Sequence, residues 1–546
     1  MRRILLTSAV LLAGASPAMA IPFTISTGVT DTTNKPVTGT DTGTVASGGT
    51  LSTSGTAITW SGPSNAPGVT IDNSGTISSS AAGSRAIDTA GANAVRNLTL
   101  NNNAGAVLSG VDDAFRINVN ATSGTIAVNN SGTIVSTATG QALDFNAIAA
   151  GTATVSITNN ASGLLRSTGQ DAIRPGQGAT VTNFGNICVG TFSGGVCSGG
   201  PINQNFDGAD WQDKSGTLIN ESGGVISGKR HGTTSDVNVN VTNDTGALIV
   251  GRNGSGIGSD GNGTVVNRGT IRGAYDGLST NGDGDGVDID FIANITNFGV
   301  IEGTGAAGVD SGGQPNGAEG IAVGGGSVNN KAGARISGAA HGMLVDNGSA
   351  GPATAAIFVT NAGRIEGFDG FGIRLVGDFA DTIDNSGIVA GTQGAIEMGG
   401  GDDLLKVGTG SVIDGLSDGG NGFDTIDVLN DVTLGDVVNF EKLILEAGAV
   451  LDLASDFAID QLLGADISGD EVVNILGHGF NIVYDDRDAA NAYLGGRSFA
   501  LAGGGGALIA ASSLPEPMAM ALLAPSFLVL AAIRRRKNAA GCQAPA

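Results

Sequence analysis

The chain is poor in the residues that most enzymes and nucleic-acid binders rely on. Only 26 of its 546 residues are Lys or Arg, against 50 Asp or Glu, and 18 Phe, 3 Tyr and 2 Trp make up its aromatics. Without a basic stripe nothing displaces phosphate counterions, which excludes DNA and RNA as partners. So few rings cannot fill the thick core of an ordinary globular enzyme. Three His and three Cys leave little for a His/Cys metal centre. What abounds is glycine, 93 residues, mixed with Ser, Thr, Asn and Val from about residue 30 to about 430 without a compositional break. One repetitive body fits this better than the three or four domains that length alone suggests.

Both ends read as processing signals. Arg2 and Arg3 precede an apolar stretch, Ile4 to Ala15, and Ala18-Met19-Ala20 supplies the small residues a signal peptidase requires, so residues 1–20 are expected to be an export signal cleaved after Ala20. At the other end Met518 to Ile533 is apolar apart from Pro525 and Ser526, and Arg534, Arg535, Arg536 and Lys537 follow. Such a run barely spans a hydrocarbon layer of about 30 Å, and the basic cluster places its C-terminal end in the cytoplasm. Immediately before it stands Leu514-Pro515-Glu516-Pro517.

The order Pro-Glu-Pro, apolar helix, Arg cluster over residues 514–537 resembles the sorting tail of PEP-CTERM proteins, exported by Gram-negative-type bacteria. The resemblance implies recognition by an exosortase-type protease, removal of the tail, and delivery to the cell surface or extracellular matrix; residues 538–546 extend beyond it. Losing both ends removes six cations and one carboxylate, so the mature body is more acidic than its precursor. Cys188 and Cys197 stay in the body inside a Gly-rich insertion, where a disulfide is expected in an exported protein.

An internal repeat dominates residues 70 to 390. Asn-x-Gly-x-Ile/Val recurs at Asn73, Asn103, Asn130, Asn183, Asn267, Asn297 and Asn361, with versions one residue longer at Asn160, Asn220, Asn243 and Asn330 and a shortened one at Asn385. Apolar residues alternate before each Asn, as in Val69 and Ile71 or Val239 and Val241, so one strand face is buried. Asn-x-Gly then turns the chain, because both residue types tolerate left-handed backbone. Seven to ten residues on, a small residue precedes an apolar one, as in Ala86-Ile87, Ala172-Ile173, Gly277-Leu278, Gly308-Val309 and Gly342-Met343.

Three short strands per unit cannot bury their apolar face alone, but stacked coils form parallel sheets around one narrow core, and the turn asparagines can stack in amide ladders. Residues 21–455 are therefore expected to form an all-β, right-handed single-stranded parallel β-helix, a rod on the order of 60 to 80 Å long. Residues 456–513 read as a C-terminal β segment that ends, over Ala502 to Ser513, in a flexible Gly/Ala/Ser spacer. The body resembles the β-helical passengers of autotransporters, and residues 399–445 resemble the last coils of such passengers. The strands of an outer-membrane translocator barrel are not found in this sequence, which casts doubt on self-transport and leaves the sorting tail as the export route.

Two acidic segments are candidate Ca²⁺ sites. Asp283, Asp285, Asp288 and Asp290 alternate beside Gly284 and Gly286, a spacing from which oxygen ligands could wrap the ion. Residues 419–427, Gly-Gly-Asn-Gly-Phe-Asp-Thr-Ile-Asp, match an RTX-type nonapeptide, with a degraded copy at residues 399–405; Asp403 and Asp424 lie one coil apart, so they either share an ion or simply stack at a corner. Gly477-His478-Gly479 matches a fragment of a polygalacturonase motif whose other members are missing, so His478 reads as a turn residue, while His231 and His341 fit the slot before an apolar strand. No catalytic residues are assigned. The expected function is that of an exported non-enzymatic surface or matrix protein, for adhesion, aggregation or association with matrix polysaccharide. The alternatives are a polysaccharide lyase or hydrolase on the same scaffold, and an autotransporter passenger lacking its barrel.

Overall fold

A computed structural model describes residues 22–514 apart from 62–67, 91–95, 122, 150, 152, 310–312 and 349–350. The signal residues Ala18 and Ala20, the tail residues Pro515, Glu516, Pro517, Arg534, Arg535 and Arg536, and the apolar run 518–533 lie outside the described residues. Among the described residues no helix is long and apolar enough to cross a membrane, and the only helical turns are Ala489–Leu494 and Ala511–Ser513.

Three long sheets of 18, 15 and 16 strands wind around one apolar core. The chain visits them in rotation: Val69–Asn73 lies in the first, Thr76–Ser79 in the second and Ile87–Ala90 in the third. Each strand pairs in parallel with the equivalent strand of the next coil, as Thr270–Gly273 does with Val300–Gly303. Eighteen strands at about 4.8 Å give a rod about 80 Å long. Alternation decides what is inside: Ile77, Ile134, Ile271, Ile301 and Ile365 are fully buried in the second sheet, while the residues flanking them face outwards or pack at the corners.

The corner leaving the first sheet carries the repeat's Asn as a buried ladder. Asn73, Asn102, Asn130, Asn159, Asn183, Asn220, Asn243, Asn267, Asn297, Asn330, Asn361 and Asn385 each donate from Nδ2 to the Oδ1 of the next, at 2.8 to 3.0 Å. An amide both donates and accepts, so the chain of bonds continues without a charge. Two ladder positions differ from the sequence reading by one residue: Asn102 and Asn159 carry the bonds, whereas Asn103 and Asn160 lie just outside and donate to Ser74 and Ser131 of the preceding coil.

The glycine of the short Asn-x-Gly corners also has a different reason from the one expected. Gly75 and Gly132 are not left-handed; a Cβ there would sit 2.2 to 2.3 Å from a carbonyl oxygen of the coil below, so close coil contact demands glycine. Left-handed glycine belongs to the longer corners, as at Gly105 and Gly223.

Overlapping the last coils of the three-sheet body, an eight-stranded sheet takes strands from Val432–Leu434 to Ala507–Ala510. Its last two strands, Phe499–Ala502 and Ala507–Ala510, form an antiparallel hairpin against an otherwise mostly parallel sheet. Residues 502–513 are therefore not a loose spacer: Leu508 and Ala510 are fully buried, because the apolar residues of this Gly-rich stretch alternate and find a strand to pair with.

An acidic groove on the third sheet

The corner entering the third sheet repeats a slot two residues before the apolar strand residue. Asp113, Gln141, Asp171, Asp207, His231, Ser255, Asp285, Glu319 and His341 occupy it in successive coils. In most of these coils the side chain accepts the backbone N–H of its counterpart in the next coil: Asp171 from Asp207 at 2.8 Å, Asp207 from His231 at 2.9 Å, Asp285 from Glu319 at 2.6 Å. His231 and His341 do the same through Nδ1, accepting from Ser255 and Phe371 at 2.9 Å. An accepting Nδ1 requires the neutral imidazole, and burial accordingly holds His231 well below its ordinary pKa and His341 at about 4.

The outward face of the third sheet carries a second column. Near the N-terminal end its charges alternate between coils: Asp88 pairs with Arg116 at 2.9 Å, and Arg174 with Asp171 at 2.7 Å and Asp210 at 3.5 Å. Near the C-terminal end Arg374 pairs with Glu397 at 2.7 Å. Between them the outward positions are Thr234, Gly258, Asp288, Ala322 and Leu344, small or uncharged apart from Asp288. The column thus loses both bulk and cations in the middle, and a groove results.

Three insertions wall this groove, all between the second and third sheets, the second over residues 274–286 and the third over residues 304–320. The first, residues 190–208, contains the antiparallel pair Thr191–Ser193 and Val196–Ser198, pinned by the Cys188–Cys197 disulfide. Arg252 reaches over to the carbonyls of Val189 and Gly199, and Asn203 accepts from the N–H of Thr280 in the second insertion. The second and third insertions join through Gly282 and Ala307 and through Asn316 donating to Asn281 at 2.7 Å. Two hollows of about 400 and about 260 Å³ share Asp288. The larger brings Asp283, Asp285, Asp288, Asp290, Glu319 and Asp346 together with His341 and Arg374; the smaller gathers Asp207, Asp210, Asp236, Asp260 and Arg230.

Oxygens of Asp283, Asp285 and Asp288 lie within 4.8 Å of one another, the one grouping among the described residues of three side chains able to hold a metal ion. Burial, reinforced by the charge of Asp283, pushes Asp285 and Asp288 well above the ordinary carboxylate range. Burial raises Glu319 to about 7 and Asp290 less far. The arrangement is a pocket of excess negative charge that takes up protons or cations readily.

The four aspartates read from the sequence thus meet in one place. Glu319, Asp346, Arg230 and Arg374 were not foreseen, although Glu319-Gly320-Ile321 repeats the slot pattern of Asp285-Gly286-Val287. Gly277-Leu278 and Gly308-Val309 are not strand starts: Leu278 is 70% and Val309 49% exposed in the insertions, and the strands begin instead at Val287 and Ile321. Asp403 and Asp424 stack at another corner and stand outside the metal-capable grouping. His478 occupies a left-handed turn, φ 51°, beside Asp452.

Residues 41–286 match the family model of the BigA third pectate lyase-like domain. No curated protein and no solved structure matches the chain. The matched span covers the N-terminal half of the rod and ends within the acidic cluster. Together with the parallel β-helix body it fits a β-helix passenger-like protein.

Proposed function

We propose that this is an exported surface or extracellular-matrix protein that uses its rod as a rigid display for adhesion, aggregation or matrix association, and that it is not an enzyme. The observation that carries the reading is the contrast between a monotonous rod and one elaborated groove, where three interlocked insertions surround a cluster of carboxylates. The use of His231 and His341 as backbone acceptors supports a structural role for both. Signal peptidase acts after Ala20, and an exosortase-type protease acts on the tail at Pro515, Glu516 and Pro517, with Arg534 to Arg536 holding it at the inner membrane. Fractionation and mass spectrometry of the mature C-terminus test this route. Glu516→Ala should retain the protein in the inner membrane, and equal release of mutant and wild type would refute it.

In this reading Asp283, Asp285, Asp288 and Asp290 take Ca²⁺, which links the acidic groove to acidic matrix polysaccharide. A site of the extracellular type would contribute about 1 kcal/mol at millimolar Ca²⁺. Thermal unfolding in CaCl₂ should exceed that in NaCl of matched ionic strength, and Asp285→Asn with Asp288→Asn should abolish the difference. Equal midpoints in both salts would remove the ion from the reading.

A second reading, a polysaccharide lyase or hydrolase, draws on Glu319, raised to about 7 beside Asp285 in an open pocket, and on the matched model's description as pectate lyase-like. Incubation with acidic and neutral polysaccharides separates the two. Chain shortening lost on Glu319→Gln supports the enzyme, whereas binding without shortening supports the adhesin.

A further inference from the structure

The outward face of the first sheet is as poor in charge as the third is rich in it. Asp72 and Asp384 bound a stretch of ten strands, from Leu98–Asn102 to Ile357–Asn361, in which every outward position is uncharged. The second sheet, by contrast, carries the pairs Arg272 with Glu302 and Arg364 with Glu366. In a chain with 50 acidic residues such a face is set apart. A surface that is to be covered avoids charge, because burying an unpaired charge costs far more than burying a hydrogen-bonded amide or hydroxyl.

Within this face two shallow hollows of about 540 and about 250 Å³ share Thr264 and Asn294 and together cross five neighbouring strands, from Asn238–Asn243 to Ile357–Asn361. Four strand spacings make the trough about 19 Å long. Its amides are held in place. Asn262 accepts the N–H of Ile292 through Oδ1 at 3.0 Å, and Asn294 accepts the hydroxyl of Ser327 through Oδ1 at 3.0 Å, so the Nδ2 of each has no partner among the described residues. Asn240 is tied the other way, donating from Nδ2 to Thr217 at 3.3 Å and leaving Oδ1 to accept. Next in register to Ser327, Phe358 raises a ring that is 50% exposed and closes the C-terminal end of the trough.

We propose that this trough binds a neutral, extended oligosaccharide, on a face separate from the acidic groove of the third sheet and independent of any ion there. Each hydroxyl of a sugar ring both gives and takes a hydrogen bond, and the fixed amides offer both halves of that exchange. The negative face of the Phe358 ring attracts the positively polarised C–H face of a pyranose. Amides already tied to their neighbours lose little freedom when a ligand arrives. An acidic glycan finds no cation among the residues of the trough to pair with. A protein partner finds one ring there in place of the cluster of aromatic and Arg anchors on which tight protein interfaces rely.

Isothermal titration of the full chain with cellohexaose and with mannohexaose tests it, with hexagalacturonate as the acidic counterpart. At least one neutral hexasaccharide should bind saturably with a Kd of about 1 mM or tighter. Phe358→Ala and Asn294→Ala, both at outward positions, should each weaken that binding at least about fivefold. Affinity should be equal in EDTA and in CaCl₂, whereas the ion-linked groove calls for Ca²⁺, so the two sites fail separately. No binding of either neutral probe by the wild type, which requires no variant to fold, would overturn the proposal. So would a requirement for Ca²⁺, displacement by hexagalacturonate, or affinity unchanged in both variants. If Phe358→Ala instead alters self-association in sedimentation velocity and leaves the titration unchanged, the face is a contact between copies of this chain and the sugar site falls.

Discussion

Two corners of the same rod solve the same problem with different side chains. Leaving the first sheet, twelve asparagines pass hydrogen bonds from coil to coil; entering the third sheet, aspartates and two histidines take backbone N–H groups from the next coil. An amide donates as well as accepts, so its ladder runs on without accumulating charge. A carboxylate only accepts, so each coil that uses one adds an acid, and where Arg is missing from the neighbouring face the acids collect into a pocket. Uniformity comes with the amide corner, and chemistry with the acidic one.

Exchanging the chemistry of the two corners tests this most severely. Asn220→Asp removes donors that reach Asn243, Gly224 and Leu248 and buries a charge, so urea unfolding should show a loss of about 3–5 kcal/mol. Truncation should cost less: Asn130→Ala is expected to lose about 2–3 kcal/mol in the same assay, from unsatisfied neighbours and a small cavity.

The histidines give the acidic corner a pH signature. With His341 held at about 4, below its ordinary 6.5, its contribution is complete above about pH 6.5 and is lost as pH falls towards 4. His341→Asn keeps an acceptor and does not titrate there, so the difference in melting temperature between wild type and variant should shift in favour of the variant on acidification. A constant difference would remove His341 from the acceptor column.

Asp207→Asn reverses the first exchange. It retains the acceptor for His231 while discarding a charge that burial already pushes well above the carboxylate range, so stability should change by less than about 1 kcal/mol. Smallest of all is Asn129→Ala. Asn129 makes an amide bond to Asn101 much like that of its neighbour Asn130, but on the solvent side, and its removal should cost less than about 0.5 kcal/mol. Equal losses at Asn129 and Asn130 would mean that burial does not set the strength of the ladder.

The rod was legible because its period is written in residues that do one job each: Ile77 and its counterparts fill the core, and Asn73 and its counterparts turn and bond. Register was legible only to within a residue. In Asn102-Asn103 and Asn159-Asn160 two adjacent amides satisfy the same pattern, and only the coil below decides which points inwards. Gly277-Leu278 and Gly308-Val309 mimic the strand signature inside insertions, where no neighbouring strand exists to receive them. The acidic site was half legible: Asp283 to Asp290 are contiguous, but Glu319, Asp346 and Arg374 reach them from later coils, and only stacking brings such residues together.

The amide ladder also has a direction. All eleven bonds point the same way, each Nδ2 towards the coil that follows, and the series stops at Asn385, whose Nδ2 passes to the hydroxyl of Ser411. Cutting the rod anywhere leaves a stranded donor on the N-terminal piece and a stranded acceptor on the C-terminal piece. Buried N–H groups tolerate solitude less well than carbonyls. The two ends are therefore unequal: coils can be shed from the front at lower cost than from the back, where a terminator such as Ser411 must be present.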